Sequence, residues 1–99
     1  MKYFLCRFLL PRPDFLGTMS DDEAKMLKAH GGYLQALLEK GMVVAHGPVL
    51  DPAGGWGVSI FEIEDHIDIT ALTADDPMIK AQVGAKYEAL PMRQLRCRN

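Results

Sequence analysis

The sequence predicts an α+β domain in which strands and helices follow one another as β-α-β-β-α-β. Three observations lead there: an N-terminal apolar run closed by prolines, a capped amphipathic stretch that ends at a glycine, and two short apolar runs separated by turn residues. A second helical segment and a last apolar run complete the order.

Residues 2–10, "KYFLCRFLL", are rich in aromatic and aliphatic groups and stop at "PRP", which makes them the first strand. Alternation places Phe4, Cys6, Phe8 and Leu10 on one face and Tyr3, Leu5 and Leu9 on the other. Both faces are apolar, the pattern of a strand covered on both sides. In "TMSDDEA", Ser20 is followed three residues later by Glu23 with acids between them, a capping box that starts the first helix near Asp21 and lets it run to Gly41. "MVVAHGPVL" and "GWGVSIFEIE" form strands two and three, joined through "DPAGG". "DHIDITALTA" is a short helix with Asp65 at its start, and "DDPMIKAQV" restarts helix after a break. "AKYEALPMRQL" supplies the fourth strand, where Pro91 requires an edge position or a bulge.

This order is the split βαβ or ferredoxin-like arrangement, with both helices on one face of a four-stranded antiparallel sheet. The other face then needs a cover. A first strand that is apolar on both sides points to another sheet, most simply that of a second copy, so a homodimer is expected.

The 99 residues fit one domain, 1–99. With 11 Lys+Arg against 13 Asp+Glu there is no broad basic field for nucleic acid or anionic lipid, and neither is expected as a partner. Arg93, Arg96 and Arg98 read as a solvated tail. No apolar run approaches the ~20 residues of a spanning helix. The run "YFLCRFLL" contains Arg7, ends at Pro11 and lacks a small-residue cleavage site, so it belongs to the fold rather than to a signal peptide. Cys6 and Cys97 follow no zinc or thioredoxin-like spacing and read as reduced thiols, which suits a cytoplasmic location.

Within "MLKAHGGYLQALL", Leu27, Leu34, Leu37 and Leu38 occupy an arc of about 100° on a helix, and His30 falls inside it. The imidazole should face the sheet, where an unsatisfied ring costs about 1–3 kcal/mol. Gly31 and Gly32 interrupt the helical pattern and each cost roughly 1 kcal/mol relative to alanine. Either the small residues leave room for a ligand beside His30, or His30 is a satisfied core histidine and the glycines permit tight packing or a kink. The best partner is in "TADDPM": Asp76 before Pro77 is first an N-cap, but capping leaves a carboxylate oxygen free to orient an imidazole. Asp75 is the alternative carboxylate.

Tyr33 and Trp56 are candidate pocket walls; in "DPAGGWG" the indole can close over a flat ligand, or else pack at an interface or over the sheet. His46 precedes Gly47 and Pro48 at a strand end, where it lines the cleft or stands exposed. His66, beside Asp65, faces solvent and has no role.

Taken together these motifs resemble the YCII-related domain family: His30 in "KAHGGYLQALLEKG", Gly47 and Pro48 in "VVAHGPVLD", and Asp76 with Pro77. "YEALPMR" is similar to the closing strand of a frequent subgroup. The resemblance covers nearly the whole chain. It implies a ferredoxin-like fold that dimerises sheet to sheet into an α+β barrel, and a His-Asp pair proposed as an active site, which falls on His30 and Asp76. A characterised relative in that family is a dehydrochlorinase of a chlorinated hydroxyquinol, and fold relatives include muconolactone isomerases. His46 departs from the commoner family pattern, which has a small residue there.

The function expected is a cofactor-free lyase or isomerase acting on a small cyclic or aromatic metabolite. His30 is its general base or acid and Asp76 the orienting carboxylate, because imidazole changes charge nearest neutral pH. Tyr33, His46, Gly47, Pro48 and Trp56 are the substrate-binding candidates. There is no G-x-S-x-G, and neither cysteine has a local activating motif, which disfavours covalent catalysis. A small-metabolite binding module and a dimerisation domain are the alternatives. A metal site of His30, His46 and Asp76 ranks below them for want of an H-x-x-x-H spacing, so neither metal nor cofactor is expected.

Overall fold

Strand β1 (Lys2–Leu9) lies inside a four-stranded antiparallel sheet of order β2-β3-β1-β4, with β2 spanning Val43–Val49, β3 Trp56–Ile63 and β4 Lys86–Met92. The helices are α1 (Phe15–Thr18), α2 (Asp21–Glu39), α3 (Ile69–Ala74) and α4 (Pro77–Lys80). The structure is a computed structural model that describes residues 1–98. This is the predicted ferredoxin-like α+β architecture, and β4 is the edge strand that Pro91 requires.

The capping box of α2 forms in full. Ser20 Oγ accepts from the Glu23 amide at 3.1 Å, and Glu23 Oε1 accepts from the Ser20 amide at 2.9 Å. Arg12 donates to both Glu23 oxygens, at 2.8 and 2.9 Å, and so ties the segment after β1 to the first turn of α2; this guanidinium holds the Glu23 carboxyl down to about 2. At the other end Gly41, with φ +82°, takes the left-handed position that closes a helix.

Paired residues of an antiparallel sheet share a face. Cys6, Phe8, Ser59, Phe61, Ile63 and Tyr87 therefore lie under the helices, where Leu34, Leu37 and Ile69 pack onto the sheet. Leu5, Leu9, Val58, Ile60 and Leu90 take the opposite face, which no helix among the described residues covers. Cys6 is buried and Cys97 exposed, both as free thiols. Among the described residues no helix is long and apolar enough to cross a membrane.

Three local expectations change. The helix is not interrupted at His30: α2 runs through Gly31 and Gly32, and a Cβ at either glycine would meet nothing within 4 Å. Neither glycine is there for tight packing. Alanine at Gly32 is expected to stabilise the protein by roughly 1 kcal/mol. Gly31→Ala should gain a similar amount while adding a methyl group to a cavity wall. Urea unfolding of the two variants checks this, and a loss of stability in either would show that the glycine serves the fold. Secondly, Asp68 rather than Asp65 caps the second helical segment, its Oδ1 accepting from the Thr70 amide at 3.0 Å, while Asp65 pairs with the N-terminal ammonium at 2.9 Å. Thirdly, α1 is a single turn that the sequence does not announce, because four residues are too few to show a period. It places Phe15, fully buried, against Phe8 and Met78.

Candidate functional site

His30 leaves the sheet-facing side of α2 and its ring stacks on Phe8 of β1, with centroids 3.7 Å apart and planes 15° from parallel. Asp76 reaches it from the start of α4. Pro77 sets the first helical residue there, which makes Asp76 the N-cap, and Asp76 Oδ1 accepts from the Met78 amide at 2.9 Å. Oδ2 is then left to accept from His30 Nδ1–H at 2.5 Å. The expected pair therefore exists, with capping and orienting functions divided between the two oxygens. Asp75, the other candidate, points outward and pairs with Lys80 at 3.8 Å.

Both partners are buried, Asp76 fully and His30 to 7 % exposure. Burial by itself would push the Asp76 carboxyl up. Hydrogen bonds from His30 and Tyr87, the His30 charge and the Met78 amide outweigh it and leave the carboxyl below its ordinary value.

Tyr87 was not expected here. Its hydroxyl donates to Asp76 Oδ2 at 2.6 Å and lies 3.4 Å from His30 Nδ1, and its ring meets Phe8 edge-on at 5.0 Å. The sequence carried one usable signal. Tyr87 and Ala89 alternate onto one face of β4, but finding Tyr87 opposite Phe8 requires the strand register, which sequence periodicity does not supply.

With Nδ1 engaged, His30 Nε2 makes no hydrogen bond among the described residues, and His30 borders a cavity of about 390 Å³ between α2 and the sheet. His46, Gly47, Pro48 and Trp56 border the same cavity, so four of the five substrate-binding candidates come together with His30. The remaining wall is apolar, with Phe8, Leu16, Leu27, Leu34, Val49 and Leu50, and no acidic residue, lysine or arginine lines it. His46 Nε2 donates to Gln35 Oε1 at 3.1 Å, which anchors the second imidazole to α2.

Two assignments differ in detail. Tyr33 does not line the cavity: its hydroxyl donates to the Leu72 carbonyl at 2.6 Å and its ring packs against the core, so it braces α2 against α3. Trp56 borders the cavity at the start of β3, but its Nε1 donates to Asp51 Oδ2 at 3.1 Å and the Arg7 guanidinium lies 4.6 Å above its ring. Arg7 belongs to the uncovered face of the sheet, and Trp56, paired with Leu9, shares that face. Among the described residues no group of three or more His, Cys, Asp or Glu side chains is placed to hold a metal ion.

In comparisons with known proteins, the model of the YCII-related domain matches residues 1–93. No curated protein matches the chain.

Proposed function

Because the chain belongs to the YCII-related domain family, we propose that it is a cofactor-free lyase or isomerase that moves a proton on a small ring compound held in the cavity. One observation carries this reading: His30 gives its Nδ1–H to a buried carboxylate, keeps Nε2 without a hydrogen-bond partner among the described residues, and borders an apolar cavity. A neutral ring in that tautomer is a base at Nε2, and Asp76 stabilises the imidazolium formed when the ring takes a proton. In an elimination, Nε2 takes the proton of a carbon acid, the C–H electron pair becomes the new π bond, and the leaving group departs with its own pair. In an isomerisation the protonated ring, after exchange with solvent, returns a proton to a different carbon. A volume of about 390 Å³ lies at the small end of ligand pockets, and uncharged walls favour a compact, neutral ring.

The test is solvent exchange. Small lactones, cyclic ketones and chlorinated phenols are incubated with the protein in heavy water; proton NMR follows loss of their acidic C–H signals, and a chloride electrode follows release of chloride. The wild type should accelerate one of these and His30→Gln should not. Equal rates for the two proteins would contradict the reading.

The proposal extends to a homodimer. Leu5, Leu9, Val58, Ile60 and Leu90 form an apolar patch on the uncovered sheet face, beside the Arg7–Glu88 pair and with Leu90 47 % exposed, and a second copy is the simplest cover. Sedimentation equilibrium is expected to give twice the 11.0 kDa chain mass, and Leu5→Lys to return it to the monomer. A monomeric wild type would refute this.

A further inference from the structure

We propose that Tyr87 is the positioning residue of the site, acting through Asp76 to keep that carboxylate charged and aimed at His30 while the imidazole gains and loses its proton; the role rests on the proton-transfer reading above. The Asp76 carboxylate has no access to water and depends wholly on its donors. Met78 supplies one on Oδ1, and His30 and Tyr87 supply two on Oδ2. The His30 donor belongs to a ring whose charge changes during the reaction. Tyr87 and the Met78 amide are constant. Were the carboxyl protonated, an imidazolium formed at His30 would have no counter-charge, and the base at Nε2 would be weaker.

Tyr87 suits this task because it does not itself ionise. Burial, followed by its bond to Asp76, raises its hydroxyl well above the ordinary phenol value, so it remains a donor. Apart from His30 and Asp76, the titratable groups beside it are the Cys6 thiol and the Tyr33 phenol, and both are held in their neutral forms. Burial pushes the Cys6 thiol up to about 12, and burial together with nearby Asp75 and Asp76 raises Tyr33. Asp76 is therefore the one anion that Tyr87 serves. At 3.4 Å the Tyr87 oxygen also occupies the space beside Nδ1, and Phe8 braces both rings, one by stacking and one edge-on.

The experiment is Tyr87→Phe, which removes the hydroxyl and keeps the ring against Phe8. Carbon NMR of the Asp76 carboxyl is followed against pH, together with the His30 Nδ1 proton signal and the solvent-exchange rate. The Asp76 midpoint should rise toward the ordinary carboxylate range, the Nδ1 proton signal should move, and the maximal exchange rate should fall with little change in KM. An unmoved midpoint and Nδ1 signal in the folded variant would overturn the proposal. Should Tyr87→Phe fail to fold, the wild type decides: the Tyr87 ring carbon bearing oxygen should titrate in step with Asp76, and its indifference would overturn the proposal equally. None of these spectroscopic readouts needs a substrate. Failure of the proton-transfer reading shows separately, as absence of exchange in the wild type.

Discussion

Asp76→Ala is expected to destabilise the protein by about 3–5 kcal/mol, the cost of leaving two buried donors without an acceptor and a helix without its cap. Three losses coincide at one side chain. The α4 N-cap disappears, and the Nδ1–H of His30 and the hydroxyl of Tyr87 lose their shared acceptor at a position closed to water. Each orphaned buried donor costs about 1–3 kcal/mol, and a natural domain has only about 5–15 kcal/mol in hand. Asp76→Asn should be milder, since its amide oxygen can still cap α4. Urea unfolding at neutral pH measures both, and a loss below about 1 kcal/mol for the alanine variant would mean that the pair contributes little to the fold.

The same residue sets an acid limit. The folded carboxyl lies below its ordinary value, so the unfolded chain takes up the proton first as pH falls. The stability Asp76 contributes is therefore complete above the unfolded value of about 3.9 and is lost as pH drops through the folded one. Glu23, Asp51 and Asp65 are also lowered and add to the acid slope. The difference between wild type and Asp76→Asn isolates one carboxylate, and the wild type should lose the larger share of its stability as pH falls below about 4.

The second large effect is on rate. His30→Gln should slow the solvent exchange by about 10²–10⁴-fold, the contribution of a well-placed general base, equivalent to roughly 3–5 kcal/mol of barrier. Glutamine is chosen because its amide can still donate toward Asp76 while offering no nitrogen lone pair to the cavity. Rate and fold are thereby separated. A His30→Gln protein that unfolds earlier but exchanges carbon-bound protons at the wild-type rate would reduce His30 to a core residue.

The site was partly legible before the fold was known because two of its members announce themselves locally. His30 is the polar exception in a leucine arc, and an aspartate followed by proline marks a helix start whatever surrounds it. Their meeting joins residues 46 positions apart and follows from the topology, since α2 and α4 cover the same face of the sheet. Tyr87 and Phe8 gave no such local mark, and their part depends on β4 pairing with β1 in a register that sets them opposite each other. The four-residue α1 escaped notice for want of periodicity, and the Asp65 assignment failed because several acids precede the second helical segment and only Asp68 meets its first amides. Tyr33, a candidate pocket wall close to His30 in sequence, gives its hydroxyl to the Leu72 carbonyl instead, a contact that depends on where α3 packs.

The tautomer of the neutral His30 ring tests the central claim most directly. Nitrogen NMR of histidine-labelled protein should show a protonated Nδ1 and a bare Nε2, and Asp76→Asn should perturb that pattern. A neutral ring protonated at Nε2, or one indifferent to Asp76→Asn, would contradict the account, because the nitrogen assigned as the base could then take no proton.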